Sequence, residues 1–256
     1  PLIFFIFFIF FIFNFVAATE NNNPIFKELL SAIKNKKEYE LVKEKKIGDL
    51  KKLLSGELSL TQEYEINSKI YKEYRKFKLD SAVYFIKKNH RTALILKDNY
   101  LEDLAKLQLA NLYSSSGRYR ESEETLKAIN RNKLAKNLYS DYYEVYSQFF
   151  EHYATNNFNP EYAKFIGIYR DSLLSVLDQN SIKFKISRAQ KDIAENNSDK
   201  AQKDLSTLLK NLKSKDQDYA MVAYLLGDTY QFQKDTETAK KYYLISATTD
   251  IKNAIK

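Results

Sequence analysis

The sequence predicts an all-α fold, a solenoid of about five helical hairpins wound as a right-handed superhelix. Three observations carry this. Gly occurs 5 times and Pro 3 times in 256 residues, too few turn formers for a many-stranded sheet fold. Apolar residues recur at helical spacing over most of the chain. An internal period of 38 to 41 residues runs along it.

The first element is an uncharged apolar run from Leu2 to Ala18, broken only by Asn14. Val16, Ala17 and Ala18 precede polar Thr19, Glu20 and Asn21. Small residues at that boundary suit cleavage after Ala18, so residues 1–18 are expected to be a signal peptide. The rival reading is an uncleaved N-terminal anchor, at the short limit for a ~30 Å hydrocarbon core. Either way the remainder is expected to be exported, on the periplasmic side of the inner membrane. The chain opens with Pro1, so an initiator and a basic leader are expected upstream.

Residues 19–58 read as an N-terminal charged helical segment. Ile25, Phe26, Leu29, Leu30 and Ile33 share one helix face, which Leu50, Leu53 and Leu54 resume. Between them, Lys34, Lys36, Lys37, Lys43, Lys45 and Lys46 interleave with Glu38, Glu40 and Glu44, the mark of a solvated face. The net charge of +8, from 41 basic and 33 acidic residues, is spread in the same way. Nucleic acid requires a basic stripe with stacking aromatics, so none is expected as a partner.

Residues 59–256 are expected to be the repeat domain. Ser59 with Gln62 forms a capping box. Asn159-Pro160 reads as an N-cap followed by a first-turn proline, and Ser198 and Asp235 as further N-caps. The last repeat runs Leu226-Gly227, Tyr230, Ala239, Tyr243. This is the tetratricopeptide (TPR) pattern, in which small residues let two antiparallel helices approach and aromatics fill the groove. The frame returns at Leu109, Ala110, Tyr113, Ser122 and Leu126, with a turn over Ser114-Ser115-Ser116-Gly117-Arg118, and more weakly at Ile70, Ala82 and Ile86. The small second-helix residue falls at Ala82, Ser122, Ala163, Ala201 and Ala239, in steps of 40, 41, 38 and 38. The standard repeat is about 34 residues, so these hairpins are longer. Tyr139, Tyr142, Tyr146, Phe149, Phe150 and Tyr153 share one face and are expected to be inter-repeat core. The final helix, from Thr236, stays apolar at Tyr243, Leu244, Ala247, Ile251, Ala254 and Ile255. A solenoid end needs a polar cap, so more repeat is expected beyond Lys256.

Cys is 0, which excludes disulfide scaffolds, cysteine-ligated zinc, iron–sulfur clusters and cysteine nucleophiles. His is 2. His90 reads as a solvated histidine at a helix C-terminus, and His152 as a core or groove histidine. Glu121, Glu123 and Glu124 gather at a helix start, where the dipole favours acids. Phosphate loops, dinucleotide fingerprints, zinc-protease helices and nucleophile elbows are absent from the sequence. A non-catalytic protein with no cofactor or metal is expected. Such arrays bind peptides on the concave face made by their first helices. In this frame Tyr71, Tyr74, Arg75, Asn111, Ser115, His152, Tyr224, Asp228 and Gln231 point there, as candidate contacts for a protein or peptide.

Several runs together resemble one family. They are a lysine- and glutamate-rich first helix from Phe26 to Leu54, Tyr71-Lys72-Glu73-Tyr74, Leu79-Asp80-Ser81-Ala82 and Asn111-Leu112-Tyr113-Ser114-Ser115-Ser116-Gly117. Tyr169-Arg170-Asp171-Ser172-Leu173-Leu174 and the run from Ser246 to Lys256 complete the set. The family comprises Gram-negative bacterial regulators with an exported TPR-like sensor region, a transmembrane helix, a cytoplasmic coiled coil and a helix-turn-helix. The resemblance implies that this chain is the sensor half, that membrane and DNA-binding parts lie downstream, and that a homodimer is an option. The alternatives are a free periplasmic TPR scaffold and the sensor region of a histidine kinase.

Overall fold

The structure is a computed structural model that describes residues 23–157 and 160–255. The segment 1–18, expected to be a signal peptide or anchor, falls outside the described residues. Among them the chain forms twelve α-helices and no strand, as the low glycine and proline content requires.

Helix α1 (Pro24–Lys34) starts at Asn23, whose Oδ1 accepts from the Ile25 amide at 2.9 Å, with proline in the first turn. It stops at Asn35, and α2 (Lys36–Lys52) follows at once. The single lysine-rich helix expected from Phe26 to Leu54 is therefore two helices. The buried face of α1 also differs from the expected one. Ala32 is fully buried and Ile25, Phe26 and Leu29 half-buried, whereas Leu30 and Ile33 point to solvent. Alanine at the closest approach rotates the contact stripe away from Ile33.

Ten helices follow in sequence, eight of them as packed pairs. First come α3 (Leu60–Tyr74) with α4 (Leu79–Leu96), α5 (Asn99–Ser115) with α6 (Tyr119–Lys127), and α7 (Tyr139–Asn156) with α8 (Pro160–Val176). Then come α9 (Ile182–Ala194), α10 (Ser198–Asn211), and the pair α11 (Gln217–Phe232) with α12 (Thr236–Lys252). The Ser59–Gln62 capping box is present in both directions, at 3.3 and 2.9 Å. Asp235 accepts from the Thr238 amide at 3.1 Å. Ser198 is not a cap. It is the first helical residue, and Asn197 holds the cap position. Pro160 opens α8, while Asn159 lies outside the described residues. Gly117, Asn196 and Lys234, each two residues before a second helix, all have φ between 62° and 76°. The three turns thus share one left-handed residue, and only Gly117 adopts it without strain.

The predicted frame has a simple structural meaning. Ala82, Ser122, Ala163, Ala201 and Ala239 are each the fourth residue of a second helix. Four of them are fully buried, but Ala163 is exposed. Twelve residues earlier stand Ile70, Ala110, Glu151, Ala189 and Gly227. The small slot of the middle pair therefore holds a glutamate, which pairs with Arg170. There α7 and α8 are held by rings instead. Tyr146 stacks on Tyr169 at 4.6 Å and 9°, and Phe150 packs on Phe165, Tyr162 and Tyr169 at 5.1 to 5.7 Å.

The chain divides into two compact units, residues 42–196 and residues 23–41 with 197–255. In the first, the core gathers Leu107, Ala110 and Leu126 with Tyr142, Val145, Phe149 and Phe150. Helix α6 is short, and the connector after it inserts Leu134 and Leu138 where more helix would otherwise pack. In the same unit α2 rides on aromatic rings. Lys51 donates to the Tyr74 hydroxyl at 3.0 Å, Lys43 sits 5.6 Å over Phe77, and Lys46 pairs with Glu73 at 2.6 Å. In the second unit Val222, Ala223, Leu226, Ala201, Leu205 and Ala239 form the core. Helix α1 packs on α12 there, and Lys252 reaches Glu28 at 2.6 Å. A cover for α12 was expected from a following repeat. Within this unit α1, from the other end of the sequence, packs against α12.

Candidate functional site

The structure separates the nine predicted contact residues into different roles. Tyr71 and Tyr74 are 5% and 3% exposed. Tyr74 stacks between Phe77 and Phe85, at 6.5 and 5.9 Å. Both are buried in the core rather than in a groove, and Lys51 of α2 lies 5.2 Å over the Tyr74 ring. Burial raises the Tyr71 hydroxyl pKa further, against the pull of Arg75. Arg75 is exposed at the end of α3. Ser115 is exposed, and its hydroxyl donates to its own helix at Leu112 O, 3.1 Å away. Gln231 is exposed on α11.

Two groups remain. In residues 42–196, α5 and α7 meet along a polar seam. Asn111 donates its amide to Gln148, and His152 Nδ1 lies 3.1 Å from Ser114 Oγ. The Tyr119 hydroxyl donates to the His152 carbonyl at 2.9 Å. Glu151, one residue before, holds Arg170 and accepts from Ser147 at 3.2 Å. Lys183, on α9, pairs with Glu144 at 2.7 Å and Asp141 at 3.4 Å. Gln148, Ser114 and Glu151 escaped the sequence reading. Their one signal was the glutamate at the small slot of the third frame.

In the other unit, Tyr224 and Asp228 stand one turn apart on α11. Tyr243 of α12 joins them, donating its hydroxyl to Asp228 at 2.8 Å. Its ring lies 5.6 Å from that of Tyr224. Burial raises the Asp228 carboxyl above the usual carboxylate range, against the Tyr243 hydrogen bond. The Tyr243 hydroxyl moves up as well, through burial and then its bond to Asp228. Tyr243 had been read as packing alone.

Both histidines are half-buried. His90 lies inside α4, six residues before its end, not at a solvated terminus. The helix simply continues through Thr92 and Ala93, which are buried. Burial pulls the His90 and His152 pKa values below their ordinary 6.5, because the charged ring loses its water. The unfolded chain therefore takes up these protons first as pH falls. The stability present above about pH 6.5 is lost as pH drops toward the folded values. Asp103 and Asp228 are raised by burial, which acts with the opposite sign at lower pH, so the comparison must be between variants. The melting temperature should fall less between pH 7 and pH 5.5 in His152→Gln than in the parent. An unchanged difference would remove His152 from the account.

Among the described residues no group of three or more His, Cys, Asp or Glu side chains is arranged to hold a metal ion. No helix among them is long and apolar enough to cross a membrane. The arrangement consists of helix faces carrying hydrogen-bonding and aromatic groups, which is binding chemistry.

No curated protein matches the chain. Among solved structures it is similar to the crystal structure of BtubC (BKLC) from P. vanneervenii, at 15% identity over 86% of this chain and 89% of that one. The TM-score is 0.47, below the level from which a shared fold follows. The family profile described as the SusR N-terminal TPR domain matches residues 33–256. That span includes all ten helices from α3 to α12, so the fold is an all-α TPR-like solenoid and the chain belongs to the SusR N-terminal TPR domain family.

Proposed function

We propose that this chain is the exported sensing region of a membrane-spanning transcriptional regulator. The observation that carries the reading is the family match over residues 33–256, in a family described as the N-terminal domain of a larger protein. The apolar run from Leu2 to Ala18, with its small residues before Thr19, supports export to the periplasmic side. The resemblance of the Ser246–Lys256 run to membrane-spanning regulators supports the rest.

In this reading an external protein, peptide or small signal binds the first-helix faces. A ligand shifts a two-state equilibrium only by its difference in affinity for the two states. The α5–α7 seam has the form such a device needs, with discrete polar pairs at Asn111–Gln148 and Ser114–His152, and Glu151–Arg170 continues it onto α8. Helices leaving the domain would carry the change across the membrane.

The test is the coding sequence downstream of Lys256. The reading expects an apolar span of about twenty residues and then a helix-turn-helix. A stop codon after a short polar helix would make the protein a free periplasmic scaffold. A span followed by a kinase domain would make it a sensor kinase.

A further inference from the structure

Helix α11 carries an exposed face that no neighbouring helix of its unit covers. Met221, Tyr224 and Phe232 on it are 40%, 48% and 65% exposed. Asp228 stands among them, one turn from Tyr224 and one from Phe232.

Several surface acids elsewhere on this chain have a cation beside them. Glu121 has Arg118, Glu124 has Arg120, and Asp171 has Lys191. Asp228 differs. It is half-buried, its Oδ1 accepts the Tyr243 hydroxyl at 2.8 Å, and no cation pairs with it among the described residues. Two tyrosine rings stand beside it, Tyr224 and Tyr243, with centroids 5.6 Å apart and planes at 44°. Gly227 makes this possible, because the Tyr243 ring occupies the space where its Cβ would be.

A desolvated carboxylate without a counter-charge, beside electron-rich ring faces, is the chemistry that recognises a cation. The Tyr243 hydroxyl fixes one carboxylate oxygen and leaves the other as acceptor. The geometry points to a cation-binding site formed by Asp228, Tyr224 and Tyr243, whose ligand is the ammonium or guanidinium group of a partner segment. A side chain fits better than a free amine. From Met221 to Phe232 the exposed apolar face runs ~16 Å along the helix, the reach of about five extended residues. Met221 and Phe232 would take apolar neighbours of the Lys or Arg. The inference rests on the peptide-binding reading of the first-helix faces and is independent of the regulator reading.

The test is an NMR titration of the full chain with three probes. They are the peptide Ac-Leu-Lys-Leu-NH2, its norleucine counterpart Ac-Leu-Nle-Leu-NH2, and spermidine. The lysine peptide should shift the amides of residues 221–232 and Tyr243. Asp228→Asn, which keeps an acceptor for the Tyr243 hydroxyl and so preserves the helix pair, should weaken it at least tenfold. Tyr224→Leu, at an exposed position, should weaken it several-fold. Spermidine binding more tightly than the peptide, with the same loss in Asp228→Asn, would keep the cation site and make a free polyamine the source. Equal binding of the norleucine peptide, or unchanged binding by Asp228→Asn, would overturn the site while leaving a face that binds peptide. Failure of all three probes would overturn both.

Discussion

Replacing Gly227 by alanine should destabilise the chain by about 1–3 kcal/mol, the usual range for overpacking a closed core. The sign is unusual. Glycine to alanine inside a helix ordinarily stabilises by about 1 kcal/mol, since alanine loses less backbone entropy. Here an added Cβ would lie 2.6 Å from Tyr243 Cδ1 and 3.0 Å from Cζ, inside van der Waals contact. The ring cannot retreat freely, because its hydroxyl is tied to Asp228 and its face meets Tyr224. The control is the same substitution in a Tyr243→Ala background. With the ring gone, Gly227→Ala should become neutral or stabilising. The double-mutant cycle should therefore give a coupling energy of at least about 1 kcal/mol. Additivity within about 0.5 kcal/mol would mean that the helix pair is not closed by this contact.

Phe150→Ala should cost about 3–5 kcal/mol, the range for truncating a buried aromatic. Phe150 is 9% exposed and touches Phe149, Tyr146, Tyr162, Phe165 and Tyr169. Together with Tyr146 on Tyr169 it is a ring through which α8 holds to α7. Phe165→Ala, at a 38% exposed position in the same cluster, should cost clearly less. Urea unfolding with hydrogen exchange read over residues 139–176 separates the two. Equal losses from both variants would mean that the cluster is a surface decoration and that α7 and α8 are held elsewhere.

The repeat was legible because its cause is local. A small residue at the fourth position of a second helix lets it pack closely, and that position, stepping by 38 to 41 residues, is buried at Ala82, Ser122, Ala201 and Ala239 though not at Ala163. The aromatic run on α7 was legible for the same reason, since its rings share one face at helical spacing. What periodicity does not encode is the partner of a face. The last helix was read as lacking a cover because nothing suitable follows it in sequence. Helix α1 packs against it, joined by Lys252 to Glu28 across 224 positions. The exposure of Ala163 was hidden likewise, because spacing alone does not reveal that rings hold α7 to α8.

The candidate site was legible only in part. Frame positions identify first-helix residues but not their depth, so Tyr71 and Tyr74 were placed with groove residues although both are buried, Tyr74 beneath Lys51 of α2. Tyr224 and Asp228 lie on the exposed side of α11, and sequence distance hid their third member, Tyr243. His90 was misplaced because the run Lys87-Lys88-Asn89-His90-Arg91 reads as a helix end. The buried Asn89 instead donates to Tyr64 O and Ser68 Oγ, at 3.2 and 2.8 Å, and the helix runs on.

The measurement that reaches the central proposal most directly is transcript profiling of the strain that carries this gene, with codons 60–252 removed in frame from the chromosomal copy. A sensor region predicts that a confined set of transcripts loses its regulation, and that restoring the codons returns it. Unchanged transcripts, together with loss or mislocalisation of exported proteins, would contradict the regulator account and leave a periplasmic scaffold.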